Sequence, residues 1–136
     1  MTYASPLAQA NLSKPPVNED ALVECIQACF DCAQACTADA DADLAEPQVQ
    51  EMIRCIRLCL DCTDVCLATG NILSRQTAFD PPTARATLQA CIQICKVCGD
   101  ECQHHAQMGF AHCQTCMEAC RRCEQACNTV LSLLPV

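Results

Sequence analysis

The sequence has no tryptophan, one tyrosine and three phenylalanines, so it offers no aromatic platform on which nucleic-acid bases could stack. Lysine and arginine number 8 against 16 aspartates and glutamates, a formal net charge of −8. Phosphate binding needs a concentrated basic face, so no nucleic acid partner is expected. No apolar run approaches the roughly 20 residues that span a bilayer, so no membrane partner is expected and the chain reads as soluble. Residues 1–16 carry one basic residue, Lys14, and no basic cluster followed by an apolar stretch. With no secretory or twin-arginine leader visible, the expected location is cytoplasmic. Glycine is also scarce, at three residues, which argues against the short, loop-rich scaffold stapled by disulfides.

What is abundant is cysteine, 17 in 136 residues. In a cytoplasm that keeps thiols reduced, these are available as metal ligands. They fall at Cys25, Cys29, Cys32 and Cys36, then Cys55, Cys59, Cys62 and Cys66, then Cys91, Cys95, Cys98 and Cys102, then Cys116, Cys120, Cys123 and Cys127, with Cys113 left over. Each set of four reads C-x3-C-x2-C-x3-C. On a helix advancing about 100° per residue, offsets of 0, 4, 7 and 11 point to about 0°, 40°, −20° and 20°, one narrow face. On a strand they would scatter over both faces. The repeat therefore predicts four helices, each with a cysteine stripe about 16 Å long. Eleven residues per three turns implies nearly straight or slightly right-handed packing.

Punctuation sets the boundaries. Asn18 is the expected N-cap of the first long helix, residues 37–46 are expected to fade into a loop, and Pro47 suits the first turn of the second. That helix is expected to end near Ser74 or Gln76, Asp80-Pro81-Pro82 to start the third, and Gly109 to precede a fourth running to about Leu134. Short connections make neighbours antiparallel. The expected fold is all-α, an antiparallel up-down-up-down four-helix bundle with a cysteine-lined core over residues 17–136. Residues 1–16 are expected to form a flexible arm, extended or disordered.

Seventeen cysteines exclude Leu and Ile from nearly every central core position, which packing alone does not favour, so the stripes read as a ligand lining. Thiols are also small hydrophobes, so the bundle is expected to fold without metal. Continued past the cysteines, the stripes meet Leu22, Leu73, Leu88, Leu131 and Leu134 at the end that carries the termini, an apolar plug. At the other end they meet Met52, His105, His112 and Cys113, soft or borderline ligands that mark an entry for metal. His104 points away from the stripe but is kept as a possible entry residue with Met52. A solvent-facing role for these histidines is the competing reading. Asp39, Asp41 and Asp43 are placed in the loop at this mouth, where they either concentrate cations or form an ordinary solvated acidic loop. Met108 and Met117, off the stripes by phase, are expected to pack.

Charge chooses the metal. Zinc on four unshared thiolates leaves each site at −2, costly when repeated through a buried core. Copper(I) is satisfied by two or three sulfurs, so bridging thiolates approach one ion per cysteine and a nearly neutral core. Cysteines at i,i+4 can converge on one such ion. The expected function is storage and detoxification of multiple Cu(I) ions. A zinc or mixed-metal thiolate buffer and a thiol redox reservoir are the alternatives. Many equivalent cysteines with no single paired nucleophile do not indicate an enzyme.

The fourfold C-x3-C-x2-C-x3-C pattern on helices, without a leader, resembles the cytosolic branch of the bacterial copper storage proteins, over roughly residues 18–134. The resemblance implies a four-helix bundle that assembles into homotetramers, with Cu(I) on the core cysteines and histidine near the open mouth. It assigns the four stripes and Cys113 as ligands, with His105 and His112 at the mouth. Outward apolar positions Ile56, Leu60, Ile92 and Val97 agree with self-association. No residue pattern identifies a partner copper chaperone.

Overall fold

The computed structural model describes residues 2–135, and all of its regular secondary structure is helical. A short helix α1 (Ala4–Ala10) is followed by four long ones: α2 (Glu19–Leu44), α3 (Ile53–Leu73), α4 (Pro81–Gln107) and α5 (Ala111–Leu133). Asn18 caps α2 by accepting a hydrogen bond from the Ala21 amide at 2.9 Å. Asp80 caps α4 by accepting one from the Thr83 amide at 3.1 Å, with Pro81 and Pro82 opening the helix. Both caps satisfy amides that have no partner within the helix. Gly109, at φ +98, ends α4 in the left-handed region that glycine enters without steric cost.

Helices α2 and α3, α3 and α4, α4 and α5, and α5 and α2 pack in a closed ring, and among the described residues no backbones approach each other across the diagonals. The sulfurs show its register. Cys25, Cys29, Cys32 and Cys36 of α2 lie 3.6, 3.8, 3.8 and 3.5 Å from Cys127, Cys123, Cys120 and Cys116 of α5. Cys55, Cys59, Cys62 and Cys66 of α3 lie 4.0, 3.7, 3.9 and 3.9 Å from Cys102, Cys98, Cys95 and Cys91 of α4. Numbers that rise on one helix as they fall on its neighbour are antiparallel pairing, so the bundle runs up-down-up-down.

Three boundaries differ from expectation. The stretch expected to be an extended or disordered arm carries α1, which packs on α2. Lys14 Nζ closes its end by donating to the Ala8 carbonyl at 2.7 Å. Helix α2 does not fade at residue 37 but runs to Leu44, because residues 37–44 contain no glycine or proline and alternate with alanine, the best helix former. Pro47 lies ahead of α3, separated from it by a 3₁₀ turn, Val49–Met52.

Leu22, Leu73 and Leu88 are fully buried at the end of the bundle near the termini, and Leu134 is almost so. Val130 joins them, while Leu131 is only half-buried. At position 117 methionine packs against the core; Met108 is exposed. Among the described residues no helix is long and apolar enough to cross a membrane.

Candidate metal centre

All 17 cysteines are buried and free, each at 0% exposure. Their sulfurs form one continuous column. Within a helix, the i,i+4 pairs Cys32/Cys36, Cys55/Cys59, Cys62/Cys66, Cys91/Cys95 and Cys98/Cys102 stand 3.8, 4.0, 3.8, 4.0 and 4.0 Å apart. Sulfurs also meet across the diagonal where backbones do not, Cys59 with Cys116 and Cys66 with Cys123, both at 3.9 Å. Fours of sulfurs cluster repeatedly, for example Cys29, Cys91, Cys123 and Cys127, or Cys36, Cys98, Cys116 and Cys120. Several belong to two clusters at once: Cys32 and Cys62 share one set with Cys66 and Cys95 and another with Cys36 and Cys120. A lattice of shared sulfurs suits an ion that accepts bridging ligands better than a series of closed four-sulfur sites.

Electrostatics divides the thiols. Cys25 is lowered to about 6, chiefly by its hydrogen bond with Cys127, and Cys62 to about 7, chiefly by that with Cys120. Cys29 is pushed up, chiefly by its hydrogen bond with Cys123, and so is Cys95 by the same neighbour. One thiolate held by its neighbours' protons forbids the next in this dry interior. Metal binding must therefore displace protons as it proceeds.

At the end opposite the leucine plug, the column opens on Met52, buried at 1%, and Cys113. The structure brings His112 to this point. Its Nδ1 lies 2.5 Å from Asp39 Oδ1 and 3.5 Å from Cys113 Sγ, and its Nε2 lies 3.0 Å from Glu46 Oε1. His105 is buried beside Glu101, 3.3 Å from Nε2, with its Nδ1 lacking any hydrogen-bond partner. His104 is exposed, as its phase requires.

The aspartates expected in a loop at the mouth lie instead in α2. Asp39 and Asp43 are buried side chains of α2, whereas Asp41 is exposed on its outer face. Asp39 Oδ2 reaches the thiols of Cys59 and Cys102 at 3.4 and 3.6 Å, and Asp43 Oδ1 lies 3.7 Å from Cys113 Sγ. The mouth position of these residues is as expected, and what the loop placement misses is their burial on the cysteine face of α2. The signal was present: 14 and 18 residues beyond Cys25, they fall at about −40° and 0°, on the cysteine face.

Burial raises Asp43 to about 8 from 3.8, aided by its contact with Cys55. Burial alone would lower His112, but its hydrogen bonds to Asp39 and Glu46 outweigh that and raise it. A carboxyl raised on folding stabilises the fold fully below its unfolded value and loses that contribution as pH climbs through the folded one. The metal-free wild type is therefore expected to lose stability relative to Asp43→Asn as pH rises from about 4 to 8, by on the order of a few kcal/mol. Calorimetry of both chains across that range checks this; a constant difference contradicts the burial of an acid at this position.

A family model described as copper storage protein matches residues 18–132. The structure of the copper storage protein Ccsp from Streptomyces lividans, loaded with 10 copper equivalents, is 48% identical, with a TM-score of 0.93 over 96% of this chain and 99% of that chain. A cytosolic copper storage protein from Streptomyces lividans bearing five coppers is 54% identical, with a TM-score of 0.81 over 83% of this chain and 93% of that one. The Cu(I)-bound copper storage protein BsCsp3 is 32% identical, with a TM-score of 0.69 over 79% of this chain and 94% of that one.

Proposed function

This chain belongs to the copper storage protein family, and from that premise we propose that all 17 of its cysteines are the ligands on which Cu(I) is stored. The observation that carries the proposal is the continuous buried column of shared sulfurs. Each arriving ion exchanges for a thiol proton and is held by two or three sulfurs. Because most sulfurs contact more than one neighbour, adjacent ions share ligands and the filled core stays near neutral. The copper-loaded relatives favour this reading over the zinc or mixed-metal buffer and the thiol redox reservoir.

Entry is through the mouth, with His112 and His105 as its imidazole ligands. The buried, unpartnered Nδ1 of His105 supports a ligand role, since an orphaned polar atom is costly to bury. Glu46 and Glu101 hold the second ring nitrogens of these two histidines at 3.0 and 3.3 Å, as carboxylates behind metal-binding imidazoles do. Met52 completes the opening with a soft thioether. The solvent-exposed His104 is at most an outer contact for arriving ions. His112→Ala and Met52→Ala are expected to slow Cu(I) uptake by about tenfold in stopped-flow loading while barely altering final capacity. Unchanged rates contradict the assignment of the entry.

The domain that does this is residues 17–136. Similarity to a cytosolic storage protein supports a cytoplasmic store that limits free copper, with no catalytic step. Leu60, 45% exposed, and the half-buried Ile56, Ile92 and Val97 form apolar surface suited to a homotetramer. Copper ions are the partner that the donor set identifies.

A further inference from the structure

The mouth contains a donor set that copper(I) chemistry does not explain. Copper(I) is soft and is served by thiolate, thioether and imidazole. Two buried carboxylates, Asp39 at 2% exposure and Asp43 at 0%, are hard ligands that such an ion does not require. Nor are they explained as ion pairs with lysine or arginine. Among the described residues, His112 is the one cationic side chain that bridges to either. Asp43 Oδ2 is buried with no hydrogen-bond partner at all.

We propose that, before copper is loaded, the mouth holds one divalent cation of the zinc class, bound by Asp39, Asp43, His112 and Cys113. The spacing of the donors fits. His112 Nδ1 lies 3.4 Å from Asp43 Oδ1 and 3.5 Å from Cys113 Sγ, and that sulfur lies 3.7 Å from Asp43 Oδ1. Around a tetrahedral ion with metal–nitrogen and metal–oxygen distances of about 2.0 to 2.1 Å and a metal–sulfur distance of about 2.3 Å, such edges measure about 3.3 to 3.7 Å. Asp39 Oδ1, at 2.5 Å from the same nitrogen, is closer than such an edge and takes the fourth corner by drawing back about 0.8 Å when a metal replaces the proton they share. Glu46 accepts from Nε2 at 3.0 Å, which leaves Nδ1 free to face the ion.

Charge balance agrees. Two carboxylates, one thiolate and a neutral imidazole carry three negative charges, which a divalent ion reduces to one and a monovalent ion leaves at two. One nitrogen, two oxygens and one sulfur also differ in kind from the all-sulfur sets deeper in the column, so this site is not a zinc-filled core. The ion sits between solvent and the sulfurs that Asp39 touches, Cys59 and Cys102. A divalent ion there slows the entry of Cu(I), and Cu(I) entry through Cys113 and His112 expels it. The site rests on the storage reading only for the identity of the channel behind it.

Cobalt(II) is the probe. Titrated anaerobically into reduced, copper-free full-length protein, it is expected to bind once per chain. The spectrum should show tetrahedral d–d bands and sulfur-to-cobalt charge transfer of the strength of a single thiolate. Asp43→Asn should weaken this binding by at least about tenfold. Zinc added to the wild type should compete for the same site and slow subsequent Cu(I) uptake. Charge transfer equal to three or four thiolates, an affinity that Asp43→Asn leaves unaltered, or no cobalt uptake overturns the proposal. Should Asp43→Asn fail to fold by circular dichroism, the wild-type thiolate count and the zinc competition decide it. A parallel Cu(I) titration of wild type without cobalt reads the storage function separately, so failure of one is distinguishable from failure of the other.

Discussion

Replacing the four stripe cysteines of α5, Cys116, Cys120, Cys123 and Cys127, by alanine is expected to lower Cu(I) capacity by more than the four ions that the lost cysteines would hold one for one. These sulfurs are shared. Cys116 contacts Cys36 at 3.5 Å and Cys59 at 3.9 Å. Cys123 contacts Cys29, Cys66 and Cys91 at 3.8, 3.9 and 3.9 Å. Removing α5's stripe strips bridges from sulfurs on the other three helices, which then hold fewer ions each. The chain should remain helical, since each substitution removes one buried sulfur and costs on the order of 1 kcal/mol. Competition against a chromophoric Cu(I) chelator, with circular dichroism as the control on folding, measures both quantities. A loss of four ions or fewer contradicts bridging.

The second large effect lies at the opposite end and on a different property. Leu88→Ala is expected to destabilise the metal-free bundle by about 2 to 5 kcal/mol, the cost of a cavity at a fully buried leucine. The melting temperature should fall by about 10 °C, while Cu(I) capacity stays at the wild-type value because the plug contains no sulfur. The comparison separates what holds the helices together from what they hold. Leu22, Leu73, Leu88 and Val130 form an ordinary apolar layer, and the thiols above it are small hydrophobes in their own right. A bundle that melts unchanged after Leu88→Ala would show that the plug is not packed as described.

Much of this was legible in the residues, because the stripe carries both fold and site. An offset pattern of 0, 4, 7 and 11 admits one secondary structure, and four copies with short connections admit few arrangements. The caps at Asn18 and Asp80 and the stop at Gly109 follow from local chemistry that acts within a few residues. What was missed depends on tertiary partners. Asp39 and Asp43 are expected in a loop because they fall in the acidic stretch 37–46 that leads to Pro47. The approach of His112, from the far end of the chain, and of the thiols of Cys59, Cys102 and Cys113 makes their burial tolerable. Helix α1 is 7 residues long, too short to be stable alone, and its existence depends on packing against α2. Val130 took the place expected for Leu131 in the plug because adjacent residues differ by about 100° and the continued stripe falls between them.

Everything above depends on folded, metal-free helices that already enclose the sulfurs proposed to hold copper. An anaerobic Cu(I) titration of the reduced wild-type chain, followed by circular dichroism in the same cell, tests it most directly. Uptake is expected to approach one Cu(I) for each of the 17 cysteines, at helical content that is high from the start and nearly constant throughout. Saturation near four ions, or helix that forms only as metal is added, would contradict it.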